Sequence, residues 1–93
     1  MKLPVNYDDT PIHERRKVRE EYIRIQEGKC FHCSEALNGR PREDIYRLII
    51  NKNLFPPSFF KWPVHLHHCH ETGMTLGAVH NHCNAVLWQY HSE

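Results

Sequence analysis

Two short segments bound what this chain can fold into: CFHC, with two residues between Cys30 and Cys33, and HNHC, with the same spacing between His80 and Cys83. A tight turn lets both side chains of such a pair point at one ion, and a tetrahedral structural zinc site takes two pairs. Closing that site ties Cys30 to Cys83 across most of a chain of 93 residues. A chain this short buries only about 60 to 65% of the surface its unfolded form exposes, so a metal staple supplies stability that a thin core does not. The N-terminus MKLPVNYDD lacks the apolar stretch of an export signal, and no apolar run approaches the roughly 18 residues that span a bilayer. The expectation is therefore a soluble, cytoplasmic protein whose cysteines are thiolate ligands, with the secreted, disulfide-linked alternative disfavoured. Cys30, Cys33, His80 and Cys83 are the expected zinc ligands. Cys69 competes with His80 for the fourth place, whereas His82 adjoins Cys83 too closely for an ordinary knuckle.

The rest of the chain reads as one α+β domain over residues 1–93. Thr10 and Pro11 make a helix start as N-cap and first helical residue. The helix runs to about Glu27, with Val18, Tyr22 and Ile25 as its apolar stripe and Gly28 ending it at C′. Its Arg15, Arg16, Lys17, Arg19 and Arg24 interleave with Glu14, Glu20, Glu21 and Glu27, a pattern that serves either surface ion pairs or phosphate contacts. The net charge of +1 does not by itself announce a polyanionic partner. Residues 1–29 thus form an arm and a basic helix, and 30–93 a zinc-bearing core with an insert at about 38–63. Within the insert NGRP is a turn, and EDIYRLIINKNL has Ile45, Leu48, Ile49 and Leu54 at helical spacing, predicting a second helix. FPPSFFKWP reads as an irregular arm whose Phe55, Phe59, Phe60 and Trp62 serve either as core filler, the favoured reading, or as an exposed contact surface. From Val64 the sequence alternates, with Val64 and Leu66 on one face of a strand and His65 and His67 on the other. Glu71, Thr72 and Gly73 turn the chain, Met74 to Val79 return as a strand, and His80 or Asn81 opens a last helix with Val86, Leu87 and Tyr90 inward.

Six of the nine histidines lie between His65 and Asn84, more than a zinc knuckle uses. Adjacent strand residues His67 and His68 point to opposite faces. One imidazole can then hold a metal while the other, turned inward by a strand end or bulge, activates a water. Asn84 follows Cys83 in the first turn of the last helix, so the zinc site would fix where its amide oxygen points.

The segments GKCFHC, HHCHETG and GAVHNHCN together resemble the HNH, or ββα-metal, nucleases, and within them the zinc-bearing branch similar to phage recombination endonuclease VII. The resemblance covers about two-thirds of the chain. It implies a small ββα-metal domain, a β-hairpin plus C-terminal helix, elaborated here by the N-terminal helix, the inserted helix and arm and the structural zinc site. It implies His68 as general base, His67 and Asn84 as ligands of one catalytic divalent ion, and His70 as a phosphate-contacting or supporting group. Histidine stands at position 67 where this branch usually has aspartate, Cys69 where a second acid is common, and His80 where a zinc cysteine is usual. The 33 residues between Cys33 and His67 exceed the usual spacing. An imidazole and an amide bind Mg²⁺ weakly, so Mn²⁺, Co²⁺ or Ni²⁺ is expected to support activity better. Neither Leu87 nor Trp88 can add a ligand, and His91, seven residues beyond Asn84 and roughly 10 Å along the helix axis, is a weak candidate.

The leading expectation is a metal-dependent DNA endonuclease or nicking enzyme of phage or mobile-element type. Its sequence preference is expected to be weak, or supplied by DNA shape, a homodimer or an accessory protein. The alternative is a non-catalytic zinc knuckle that binds nucleic acid or protein. That alternative accounts for CFHC and HNHC but gives no reason for His67, His68 and Asn84.

Overall fold

Pro11, not Thr10, opens the first helix in the computed structural model, which describes residues 2–91. The Thr10 hydroxyl instead donates to Asn6 O at 2.6 Å, and Pro11 O accepts from the amides of Glu14 and Arg15. Helix α1 (Ile12–Ile25) ends in two residues with positive φ, Glu27 at 56° and Gly28 at 76°. Gly28 N–H reaches back to Ile23 O and Glu27 N–H to Arg24 O, the paired bonds of a Schellman cap. The C′ residue is therefore Glu27, one position earlier than expected. The inward stripe of α1 shifts too: Val18 is buried and Tyr22 and Ile23 are partly so, whereas Ile25 is exposed.

The predicted second helix is reduced to one turn, α2 (Glu43–Tyr46), followed by a 3₁₀ turn at Lys52–Leu54. Between them the backbone is bonded to a distant element. Ile49 O accepts from Tyr90 OH at 2.6 Å and Gln89 Nε2 at 3.1 Å, and Asn51 N–H donates to Gln89 Oε1 at 2.8 Å. These bonds take groups that a continuous helix would use, and Leu48 and Ile49 end up exposed.

Strand β1 (Val64–His68) pairs antiparallel with β2 (Thr75–His80), and helix α3 (Asn81–His91) follows without a break. Both α1 and α3 pack on this hairpin, and α2 packs on α3. The outward-pointing backbone of Ala78 on β2 is covered rather than left as a bare edge. Gln26 both accepts from Ala78 N–H and donates to Ala78 O, each at 2.9 Å, and Phe31 N–H adds a bond to the same carbonyl.

The core is small and centred on the ligand residues. Cys30, Cys33 and Cys83 pack with Leu37, Ile45, Ala78, Val79 and Val86 in one buried cluster. Val79, Val86, Cys33 and Cys83 are its largest fully buried side chains, so among the described residues no phenylalanine, tyrosine or tryptophan is completely enclosed. Phe55, Phe59 and Phe60 are half-buried and Trp62 is exposed; the expected core filler is instead a peripheral cluster leaning on Trp88 and His65. Tyr90, expected inward, is 47% exposed because its hydroxyl reaches out to Ile49. Among the described residues no helix is long and apolar enough to cross a membrane.

Gly77 lets the knuckle lie against β2. A Cβ there would stand 2.7 Å from Phe31 Cγ and 2.8 Å from Phe31 Cβ. The ring can swing, but Phe31 Cβ cannot, because the Phe31 amide is bonded to Ala78 O at 2.9 Å. Gly77→Ala is expected to cost about 1 to 3 kcal/mol as an overpacking substitution. In thermal melts of zinc-loaded protein each kcal/mol lowers Tm by roughly 4 to 8 °C. A melt unchanged from wild type would show that the knuckle does not rest on this glycine.

Candidate metal centre and catalytic site

The CFHC knuckle is a tight backbone turn. Cys30 N–H donates to Glu35 O and Ser34 N–H to Cys30 O, while Ser34 takes a left-handed φ of 68°. His32 N–H donates to Cys30 Sγ at 3.4 Å, the amide-to-sulfur bond that stabilises a thiolate. On the other side β2 ends at His80 and α3 begins at Asn81, so His80 and Cys83 straddle a strand-to-helix junction. The four side chains meet there, with their ligand atoms within 4.8 Å of one another and all four residues buried.

The spacing within this group suits zinc. His80 Nδ1 lies 3.5 Å from both Cys33 Sγ and Cys83 Sγ. Ligand edges in a tetrahedral site with Zn–S near 2.3 Å and Zn–N near 2.05 Å are about 3.6 Å. His80 Nε2 stands 2.8 Å from Ala36 O and so donates to it, which leaves Nδ1 bare as the ligand atom. The chain thus has a Cys3His group able to hold a metal such as zinc. The Cys83 thiol acting as hydrogen-bond donor to Cys30, together with backbone amides of Cys33, His80 and His32, lowers the Cys30 pKa against the effect of burial. The same bond, then burial, pushes Cys83 far up. A metal ion would displace that shared proton. Cys69 is not in the group: it sits in the hairpin turn, its amide on Met74 O and its thiol lowered by the Thr72 amide and hydroxyl. His82 points elsewhere, donating to Ile45 O at 3.0 Å.

Of the predicted catalytic residues, His67, His68 and His70 lie toward the turn end of the hairpin, whereas Asn84 sits on α3 beside His65 near the start of β1. The ladder pairs His67 with Gly77 but His68 with Thr75, so Leu76 is the extra residue of a β-bulge opposite the step between the two histidines. His67 is buried and lines an open cleft of about 260 Å³ with Phe31, His32, Leu76, Leu87 and His91. His68 lies face to face with Tyr7, ring centroids 4.0 Å apart and 7° from parallel, and His70 meets it edge-on at 5.0 Å. Asn84 Nδ2 lies 3.1 Å from Nδ1 of His65, which neighbours His67 on the same strand face.

Tyr7 and the docking of the N-terminal arm were not singled out from sequence. The N-terminal arm adds itself to the hairpin: Val5 exchanges bonds with Thr75, and Tyr7 N–H donates to Gly73 O at 2.8 Å. That docking brings Tyr7 onto His68, and Arg15 braces Tyr7, its guanidinium 4.0 Å over the ring and its Nε on Tyr7 O. No local pattern marks such a long-range pairing. His65 was legible, since alternation puts it on the face of His67, but its contact with the helix was not. Arg16, Lys17 and Arg24 are engaged in ion pairs with Glu20, Glu14 and Glu21, whereas Arg15 is turned toward His68's neighbour. No protein-family model, no curated protein and no solved structure matches this chain.

Proposed function

We propose that the chain is a metal-dependent DNA endonuclease or nicking enzyme of the HNH type, stapled by zinc. What carries the reading is the β-bulge opposite the step from His67 to His68, on a hairpin that runs into a helix bearing Cys83 and Asn84. A bulge bends the strand that carries the extra residue, here β2 at Leu76, and the proposed site would use the two adjacent imidazoles that lie opposite it.

His67 and Asn84 would hold the divalent ion, and the rest of its shell would come from water and phosphate. A neutral imidazole and an amide oxygen fit Mn²⁺, Co²⁺ or Ni²⁺ better than Mg²⁺. When bound, the ion supplies Lewis acidity to the scissile phosphate and the leaving 3′ oxygen. His68 takes a proton from the attacking water, and its ring is held for this by Tyr7 on one face and His70 at its edge. Arg15 and other basic groups of α1 hold flanking phosphates, which position DNA without reading its sequence. The test is plasmid nicking with Mn²⁺ or Mg²⁺ by wild type and His68→Ala. Supercoiled DNA left intact under every metal would leave the chain as a non-catalytic zinc knuckle.

The pH dependence follows from the environment of His68. Burial first, then the charges of His70, His67 and Arg15, lower its pKa from the ordinary 6.5, against Asp8, which raises it. A general base works deprotonated, so activity is present above the folded-state pKa and lost as pH falls through it. The acid limb of the rate profile is therefore expected below 6.5, and His70→Ala is expected to move it upward. The stability contribution has the same sign, being complete above 6.5 and lost as pH falls through the lowered value. An acid limb at or above 6.5 would remove His68 as the titrating base.

A further inference from the structure

A carboxamide binds a cation through its oxygen, and the same group turned by half a rotation presents an NH₂ to the same place. Nothing in the position of Asn84 along α3 chooses between the two. The contact that chooses is with His65, whose Nδ1 lies 3.1 Å from Asn84 Nδ2. The NH₂ of a carboxamide only donates, so His65 Nδ1 is the acceptor in this contact. With Nδ2 turned to His65, the Asn84 oxygen is the free end of the amide.

The arm beside His65 is itself fastened. Phe59 meets the His65 ring edge-on at 4.6 Å and packs on Phe55 at 4.5 Å, and Phe55 packs on Trp88 of α3 at 5.5 Å. Asn81, at the start of α3, donates to Trp62 O at 3.0 Å and Phe60 O at 3.3 Å. The irregular arm at 55–62 is thus joined to both ends of the His65–Asn84 contact.

We propose that His65 is a positioning residue that sets the oxygen of the Asn84 carboxamide toward the divalent ion, and that the 55–62 arm holds His65 in that role. The proposal rests on the nuclease reading. It is tested on zinc-loaded protein by titrating Mn²⁺ and following the free ion by electron paramagnetic resonance, with nicking measured alongside. His65→Ala is expected to weaken Mn²⁺ binding roughly 10- to 100-fold, the usual cost of removing a partner of a metal ligand. Aspartate has two equivalent oxygens and needs no orienting bond. Adding His65→Ala to Asn84→Asp is therefore expected to change affinity less than about twofold relative to Asn84→Asp alone, given that distant sites otherwise act additively. Equal losses in the two backgrounds would mean that His65 supports only the fold, and would overturn the proposal. Absence of both Mn²⁺ binding and nicking in the wild type would instead defeat the nuclease reading, on which the proposal depends.

Discussion

Cys33→Ser is expected to leave the chain without bound zinc and without a stable fold at 25 °C. Structural zinc contributes apparent binding free energies of about 10 to 16 kcal/mol in small domains at neutral pH, and where no site exists in the unfolded chain this is folding free energy. Domains of this kind have only about 5 to 15 kcal/mol of net stability in total. Here the dependence is sharpened because the ligands are also the core: three of the eight residues in the buried cluster are Cys30, Cys33 and Cys83. Serine at position 33 removes a thiolate, leaves a hydroxyl in a site only 2% exposed, and detaches the knuckle from the strand-to-helix junction. Metal content by mass spectrometry is expected to fall from one zinc per chain toward none, with loss of the cooperative melt. His80→Ala, which leaves three thiolates, is expected to lose zinc more readily than wild type to a chelator but to fold when zinc is in excess. Full zinc retention by Cys33→Ser would remove the Cys3His assignment, and unchanged retention by His80→Ala would bring Cys69 back as fourth ligand.

That quartet was legible because ligand spacing is a local property that a turn of fixed length enforces. The hairpin and last helix were legible for a similar reason. Val64 to His68 alternate, and the chain passes from β2 into α3 directly, so strand and helix boundaries fell within a residue of those expected. Where the expectation failed, a distant partner had overridden local preference. Residues 43–54 have helical spacing, but Gln89 and Tyr90 capture the backbone at Ile49 and Asn51. Tyr7 carries no motif, and its place on His68 depends on Val5 and Tyr7 bonding to Thr75 and Gly73, with Val5 and Thr75 separated by 70 positions in sequence. The candidate catalytic residues were named from sequence by their crowding between His65 and Asn84. Which of them share a contact was not legible, and the contact of Asn84 with His65 became visible only in three dimensions.

His68→Ala is expected to reduce plasmid nicking by roughly 10²- to 10⁴-fold, the range that general acid–base catalysis contributes. The substitution should leave the scaffold in place. His68 is not among the buried core residues, and the zinc ligands and the cluster around them do not include it. What the fold loses is the stack on Tyr7, and aromatic pairs of this kind are worth about 0.5 to 1.5 kcal/mol beyond their buried area. Zinc content is therefore expected to remain at one ion per chain, with Tm lowered by only several degrees. His67→Ala should differ in kind, since it removes a proposed metal ligand: its activity should recover in part as Mn²⁺ is raised, whereas no metal concentration restores a missing base. If His68→Ala nicks as fast as wild type, either the base is another residue or the cleavage comes from a contaminant. His67→Ala, purified in the same way, separates these outcomes, because a contaminating nuclease is indifferent to both substitutions while a relocated base would still need the ion that His67 is proposed to hold.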